Sequence, residues 1–144
     1  DFVYSTDIIV GFPGESEEAF QNTCDLVRGS PPFKVHVFPF SARPGTAAAK
    51  FAGQVPEEVK KSRVRELLTL SDDCFRHVAQ RFIGKLQPVL IETVHPQTLG
   101  FQLQGKLVSY LPISGYTKVK PFEAIINFKV LSLEGTSLLG DPII

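Results

Sequence analysis

Apolar and polar positions give this chain two textures, with the change near Gly84. In the first part Ile8, Ile9 and Val10 form a continuous β-branched run, the pattern of a strand covered on both faces in a parallel sheet. Phe12-Pro13-Gly14-Glu15 follows, and because Pro13 presets φ while Gly14 tolerates a positive φ, a type II turn is predicted. Ser16 is placed to cap a helix whose first turn carries Glu17 and Glu18 at its positive end. Phe20, Cys24 and Val27, with Ala19 and Leu26 beside them, recur at helical spacing up to about Arg28. Gly29 is expected to end that helix, and Pro31-Pro32 prevent it from resuming. Phe33 to Phe38 then reads as a second strand closed by Pro39, so the stretch is predicted to be a βαβ unit with parallel strands and a right-handed crossover.

Ser41 to Gly53 is a loop rich in Pro, Gly and Ala, and Arg43 stands in it beyond the carboxyl end of the second strand. A long helix is predicted from Pro56 towards Gly84, with a mostly apolar stripe through Val59, Val64, Leu67, Leu68, Ser71, Cys74, Phe75, Val78 and Phe82. Its Lys60, Lys61, Arg63 and Arg65 read as a solvated face, with contact to a phosphate backbone as the alternative. After Gly84 the pattern becomes short segments of period-two alternation, as in Phe101-Gln102-Leu103-Gln104. Leu86 to Glu92, Leu107 to Pro112, Tyr116 to Lys120, Ile125 to Val130 and the tail near Leu138 are further candidate strands. Together they predict a small closed barrel, with Pro88 at an edge or bulge because it has no N–H to donate.

Composition narrows the function classes. The 144 residues are 43% hydrophobic with 12 Phe, enough for a core, and no run approaches the length of a membrane helix. Asp1-Phe2-Val3 is neither a signal peptide nor a usual start, and the chain is expected to be part of something longer. Lys plus Arg and Asp plus Glu are 15 each, so no global field attracts nucleic acid. Residues 1–83 hold 10 basic against 11 acidic residues and 84–144 hold 5 against 4, so any RNA binding has to come from local patches. Cys24 and Cys74 stand apart, without a C-x-x-C or Cys/His cluster, and read as small buried hydrophobes rather than metal ligands. His36, His77 and His95 are scattered and read as structural or solvent-facing.

Three motifs in order, Thr6 to Glu15, Phe38 to Thr46 and Gln54 to Arg63, resemble the radical-SAM tRNA methylthiotransferase family. Gly105 to Ile113 and Leu138 to Ile143 look like the two signatures of the TRAM domain, the RNA-binding barrel that ends those enzymes, with Ser109 where the family often has Asn. Val37 to Ser41 and Gln54 to Arg63 are most similar to the threonylcarbamoyladenosine members. The resemblance implies a fold of α/β followed by all-β. Residues 1–83 would form the last βα units of a partial parallel (β/α) barrel, and 84–144 a small C-terminal antiparallel β-barrel.

It also implies a chemistry. The full enzyme would use S-adenosylmethionine and two 4Fe-4S clusters to add a methylthio group to an already modified adenosine beside the tRNA anticodon. The cluster cysteines, a C-x-x-x-C-x-x-C triad and three more, have no counterpart here, so the chain is expected to be the C-terminal part of the enzyme, or a truncated homologue, and inactive alone. No catalytic residue and no metal ligand is assigned. By the resemblance Ile9, Gly11, Phe12, Val37 and Phe38 lie where barrel strands approach the adenosine end of the cofactor. Arg43 would meet tRNA phosphate or a substrate carboxylate, for which its planar fork of donors is suited. Lys106, Tyr110, Tyr116, Lys118 and Lys120 would meet the tRNA anticodon stem-loop through backbone contact and base stacking. The expected protein is cytoplasmic and monomeric. The competing expectation is a non-catalytic RNA-binding module built on the same barrel residues.

Overall fold

The computed structural model describes residues 2–144, which separate into two compact units, Tyr4–Phe75 and, with Phe2 and Val3, Arg76–Ile144. In the first, β1 (Ser5–Val10) and β2 (Lys34–Pro39) pair in parallel, with Asp7 opposite His36, Ile8 opposite Val37 and Ile9 opposite Phe38. Helix α1 (Glu17–Gly29) connects them, capped by the Ser16 hydroxyl, which accepts from the Ala19 N–H at 3.1 Å. Glu15 N–H donates to the Phe12 carbonyl at 2.9 Å and Gly14 has φ +85°, so the predicted type II turn is present. Gly29 is the last helical residue and has no positive φ; the Ser30 N–H closes the end on the Leu26 carbonyl.

Helix α2 (Glu57–Gln80) lies against the same face of the sheet as α1. The core here is Val10, Phe20, Cys24, Val27, Val35, Leu67, Leu70 and Cys74, with Ile8, Val37 and Val64 packed on it. Burying one such large side chain contributes about 1.5–3 kcal/mol. Ser71, polar in an apolar stripe, is buried because its hydroxyl accepts the Val35 N–H at 3.0 Å. The other sheet face is open among the described residues: Ile9 is 59% and Phe38 51% exposed. The strand is therefore covered on one face here rather than on two, and the described sheet has two strands.

In the second unit β3 (Leu86–Gln97), β4 (Gly100–Leu107), β5 (Pro112–Thr117), β7 (Ser137–Ile143) and β6 (Ile125–Glu134) close a barrel in that spatial order. Alternation sends Val89, Leu103, Ile113, Phe128, Val130 and Leu138 inward, all 2% exposed or less. The closure is antiparallel except between β5 and β7, which pair in parallel over Ile113–Leu138 and Ser114–Leu139 only. Pro88 pairs with Asn127 on β6, beyond the point where β4 begins to pair at Val89, so its missing donor costs no ladder bond on that side. The expected strand Leu107–Pro112 is instead the β4–β5 turn. Tyr110 has φ +65°, its N–H donates to the Leu107 carbonyl, and the Leu107 N–H donates to Leu111. Among the described residues no helix is long and apolar enough to cross a membrane.

Candidate functional site

The carboxyl ends of β1 and β2 bring one set of predicted residues together. Ile9 and Phe38 stand side by side on the open face, and both strands run out there into loops. Phe12 packs edge-on against Phe40, with ring centroids 5.2 Å apart, and against Phe51 at 6.2 Å. The loop that carries Phe51 is tied back to the turn by the Gly14 N–H, which donates to the Gly53 carbonyl at 2.8 Å. Val37 does not join this set. It points to the helix side and packs on the core. Arg43 lies in an exposed turn where its carbonyl accepts from Thr46, and its side chain makes no ion pair among the described residues.

Gly11 is buried at φ +74°, and its N–H donates to the Glu15 carboxylate at 2.7 Å. A Cβ there would fall 2.2 Å from Lys60 Cγ, so the need for glycine comes from α2 crossing over it as well as from its φ. The other Glu15 oxygen accepts from Arg63 at 2.9 Å, and Arg63 also reaches the Glu15 carbonyl at 3.2 Å and Glu17 at 3.3 Å. Its guanidinium sits 5.1 Å from the Phe20 ring centroid. Lys60, one turn earlier, donates to the Phe40 carbonyl at 3.1 Å and pairs with Glu57 at 2.8 Å.

Arg63 is 5% exposed, so the charged face read as solvated contains a buried member. A signal for this existed: Arg63 precedes Leu67, Leu70 and Cys74 by 4, 7 and 11 residues, the spacing of the buried stripe. Cutting such a buried pair by removing one partner costs about 3–5 kcal/mol, whereas the exposed Lys61–Glu58 pair contributes well under about 1 kcal/mol. The hydrogen bond from Gln21 and then that from Arg63 hold the Glu17 carboxyl below the ordinary carboxylate range.

The barrel residues form two groups rather than one surface. Lys106 and Tyr110 line a groove of about 280 Å³ with Leu90, Glu92, Val108 and Ile125, and Lys106 is paired with Glu92 at 3.0 Å. Tyr110 is 71% exposed at the turn tip. Tyr116 lies towards the other end of β5, with its ring over Gly100, beside a groove of about 490 Å³ lined by both polar and apolar residues, among them Gln97, Gln102, Leu131, Leu139 and Asp141. Lys118 and Lys120 continue from there into the exposed β5–β6 connection.

The fit to the implied cofactors is uneven. An apolar Ile9–Phe38 patch at the end of two parallel strands suits the flat face of a purine, and the Gly11–Glu15 turn beside it is rigidly held. Iron–sulfur ligands do not fit: no three His, Cys, Asp or Glu residues are grouped to hold a metal among the described residues. Burial pushes both the Cys24 and Cys74 thiols up, so neither is a ready thiolate at neutral pH.

No family model matches the chain. Over 98% of its length it is 45% identical to the tRNA-2-methylthio-N(6)-dimethylallyladenosine synthase of Aquifex aeolicus. Proteins of the same name from Finegoldia magna and Thermodesulfovibrio yellowstonii are 46% and 38% identical over 97% and 99% of this chain. The chain spans about a third of the length of these curated relatives, from 30% to 32%.

Proposed function

From the chain's membership of the radical-SAM tRNA methylthiotransferase family, we infer that it is the portion of such an enzyme that carries part of the cofactor wall and a tRNA-docking barrel. The observation that carries this reading is the similarity along the whole chain, together with the presence in it of a closed five-stranded barrel and of a parallel strand pair whose ends are polar-clamped and apolar-faced. When bound by the complete enzyme, S-adenosylmethionine and the clusters supply radical, sulfur and methyl chemistry. This chain's part is to hold the adenosine end against Ile9 and Phe38, with Phe12 closing the edge and the Gly11 turn fixing the strand end. Val37 supports that wall from behind. Cluster ligands are expected from the rest of the enzyme, and this segment is expected to be inactive alone.

The product proposed is a methylthiolated adenosine in the tRNA anticodon region. The relatives carry the dimethylallyl name, whereas Val37 to Ser41 and Gln54 to Arg63 resemble threonylcarbamoyl enzymes. The dimethylallyl reading is favoured, because the relatives similar along the whole chain carry that name. tRNA is met through Lys118 and Lys120, with Lys106 and Tyr110 as a second contact; a tRNA enzyme is expected in the cytoplasm, as a monomer. The test is a chimera in which this segment replaces its counterpart in the Aquifex aeolicus enzyme. Nucleosides from tRNA of a methylthiotransferase-deficient host would be analysed by mass spectrometry. Methylthiolated dimethylallyladenosine is the expected product; a chimera that folds and binds its clusters yet yields no methylthio nucleoside would contradict the reading.

A further inference from the structure

Two cations on successive turns of α2 each end on a strand exit. Arg63 holds Glu15 by side chain and carbonyl, and the same carboxylate grips the Gly11 N–H, so the β1 exit is fixed through Glu15 to the helix. Lys60 holds the Phe40 carbonyl just past β2, and its stem fills the space where Gly11 would otherwise carry a side chain. Arg63 Nε is buried without a hydrogen-bond partner, an unfavourable arrangement that an apolar side chain at this place would avoid. Both cations thus tie α2 to the two strand exits.

We propose that Lys60 and Arg63 are positioning residues that set the spacing of the β1 and β2 exits, and so the shape of the wall that receives the adenosine moiety of the cofactor. The inference rests on the functional reading above. It makes adenosine affinity depend on two residues that do not touch the ligand. Neither acts through net charge: Lys61, on the same helical turn but 60% exposed and paired only with Glu58, serves as the control.

The experiment uses the full-length enzyme that carries this segment and measures S-adenosylhomocysteine binding by calorimetry, at a temperature where circular dichroism shows every variant folded. Arg63→Met and Lys60→Met are expected to weaken binding about tenfold or more, Arg63→Lys to fall between Arg63→Met and the unsubstituted enzyme, and Lys61→Met to leave it unchanged. Should Arg63→Met fail to fold, Arg63→Lys and Lys60→Met carry the comparison. Affinities of the folded variants within twofold of the unsubstituted enzyme, or an equal loss in Lys61→Met, overturn the positioning role while leaving the functional reading intact. No binding by the unsubstituted enzyme overturns both.

Discussion

Gly11 and Gly14 share one turn, and both have positive φ, yet substitution is expected to affect them unequally. Gly14 faces open space, so Gly14→Ala incurs the backbone strain alone, about 1 kcal/mol. In Gly11→Ala the new methyl also collides with the Lys60 stem, and the cost should exceed that of Gly14→Ala by about 1 kcal/mol or more. Denaturant melts of the two variants check this; equal losses would contradict the packing of α2 over Gly11. The conformation of Gly14 was legible in the sequence, since a Pro-Gly pair between a strand and a capped helix has few solutions. The Gly11 restraint was not, because it comes from a side chain 49 positions away. Arg63 shows the same limit: four cations within two turns look alike until the helix is seated, and only their phase relative to Leu67 and Leu70 separates the buried one from the rest.

Among the elements, α1, α2, β1 and β2 follow the expected pattern because their buried stripes and turn residues agree. The β-branched run Ile8-Ile9-Val10 misled in one respect, since a continuous apolar strand does not say whether both faces are covered within the same segment. Leu107 to Pro112 reads as a strand by composition but becomes a turn, because β4 and β5 are adjacent antiparallel partners and need a connection there. The barrel strands also fix which of the proposed tRNA-contacting lysines lie near each other. Lys106 and Pro112 are partners at one end of the β4–β5 ladder, whereas Tyr116 pairs with Gln102 four residues on, roughly 14 Å along the strand. Replacing Lys118 and Lys120 together by Ala should lower the salt slope of tRNA binding by about 0.7–0.9 per lysine. Lys106→Ala should lower it less, because Glu92 already neutralises Lys106. Filter-binding isotherms at several salt concentrations measure this, and a larger effect from Lys106 would move the RNA to the other groove.

For the chain as a whole, the balance of 15 basic and 15 acidic residues means that the proposed RNA affinity has to come from placement rather than net charge. The change of period near Gly84 marks where the barrel strands begin, whereas the first compact unit ends in sequence at Phe75, inside α2. For the residues proposed as a cofactor wall, strand register puts Ile9 beside Phe38, and the same alternation turns Val37 away. Similarity to about a third of each relative leaves the central claim to be tested on this segment itself, namely that its barrel is a tRNA-docking surface. The direct measurement is binding of the 144-residue chain to a tRNA anticodon stem-loop and to an unrelated RNA hairpin across a salt series. Tighter binding of the anticodon stem-loop, weakening steeply as salt rises, is the predicted result. Absence of binding, or equal and salt-independent binding of both RNAs, would contradict it.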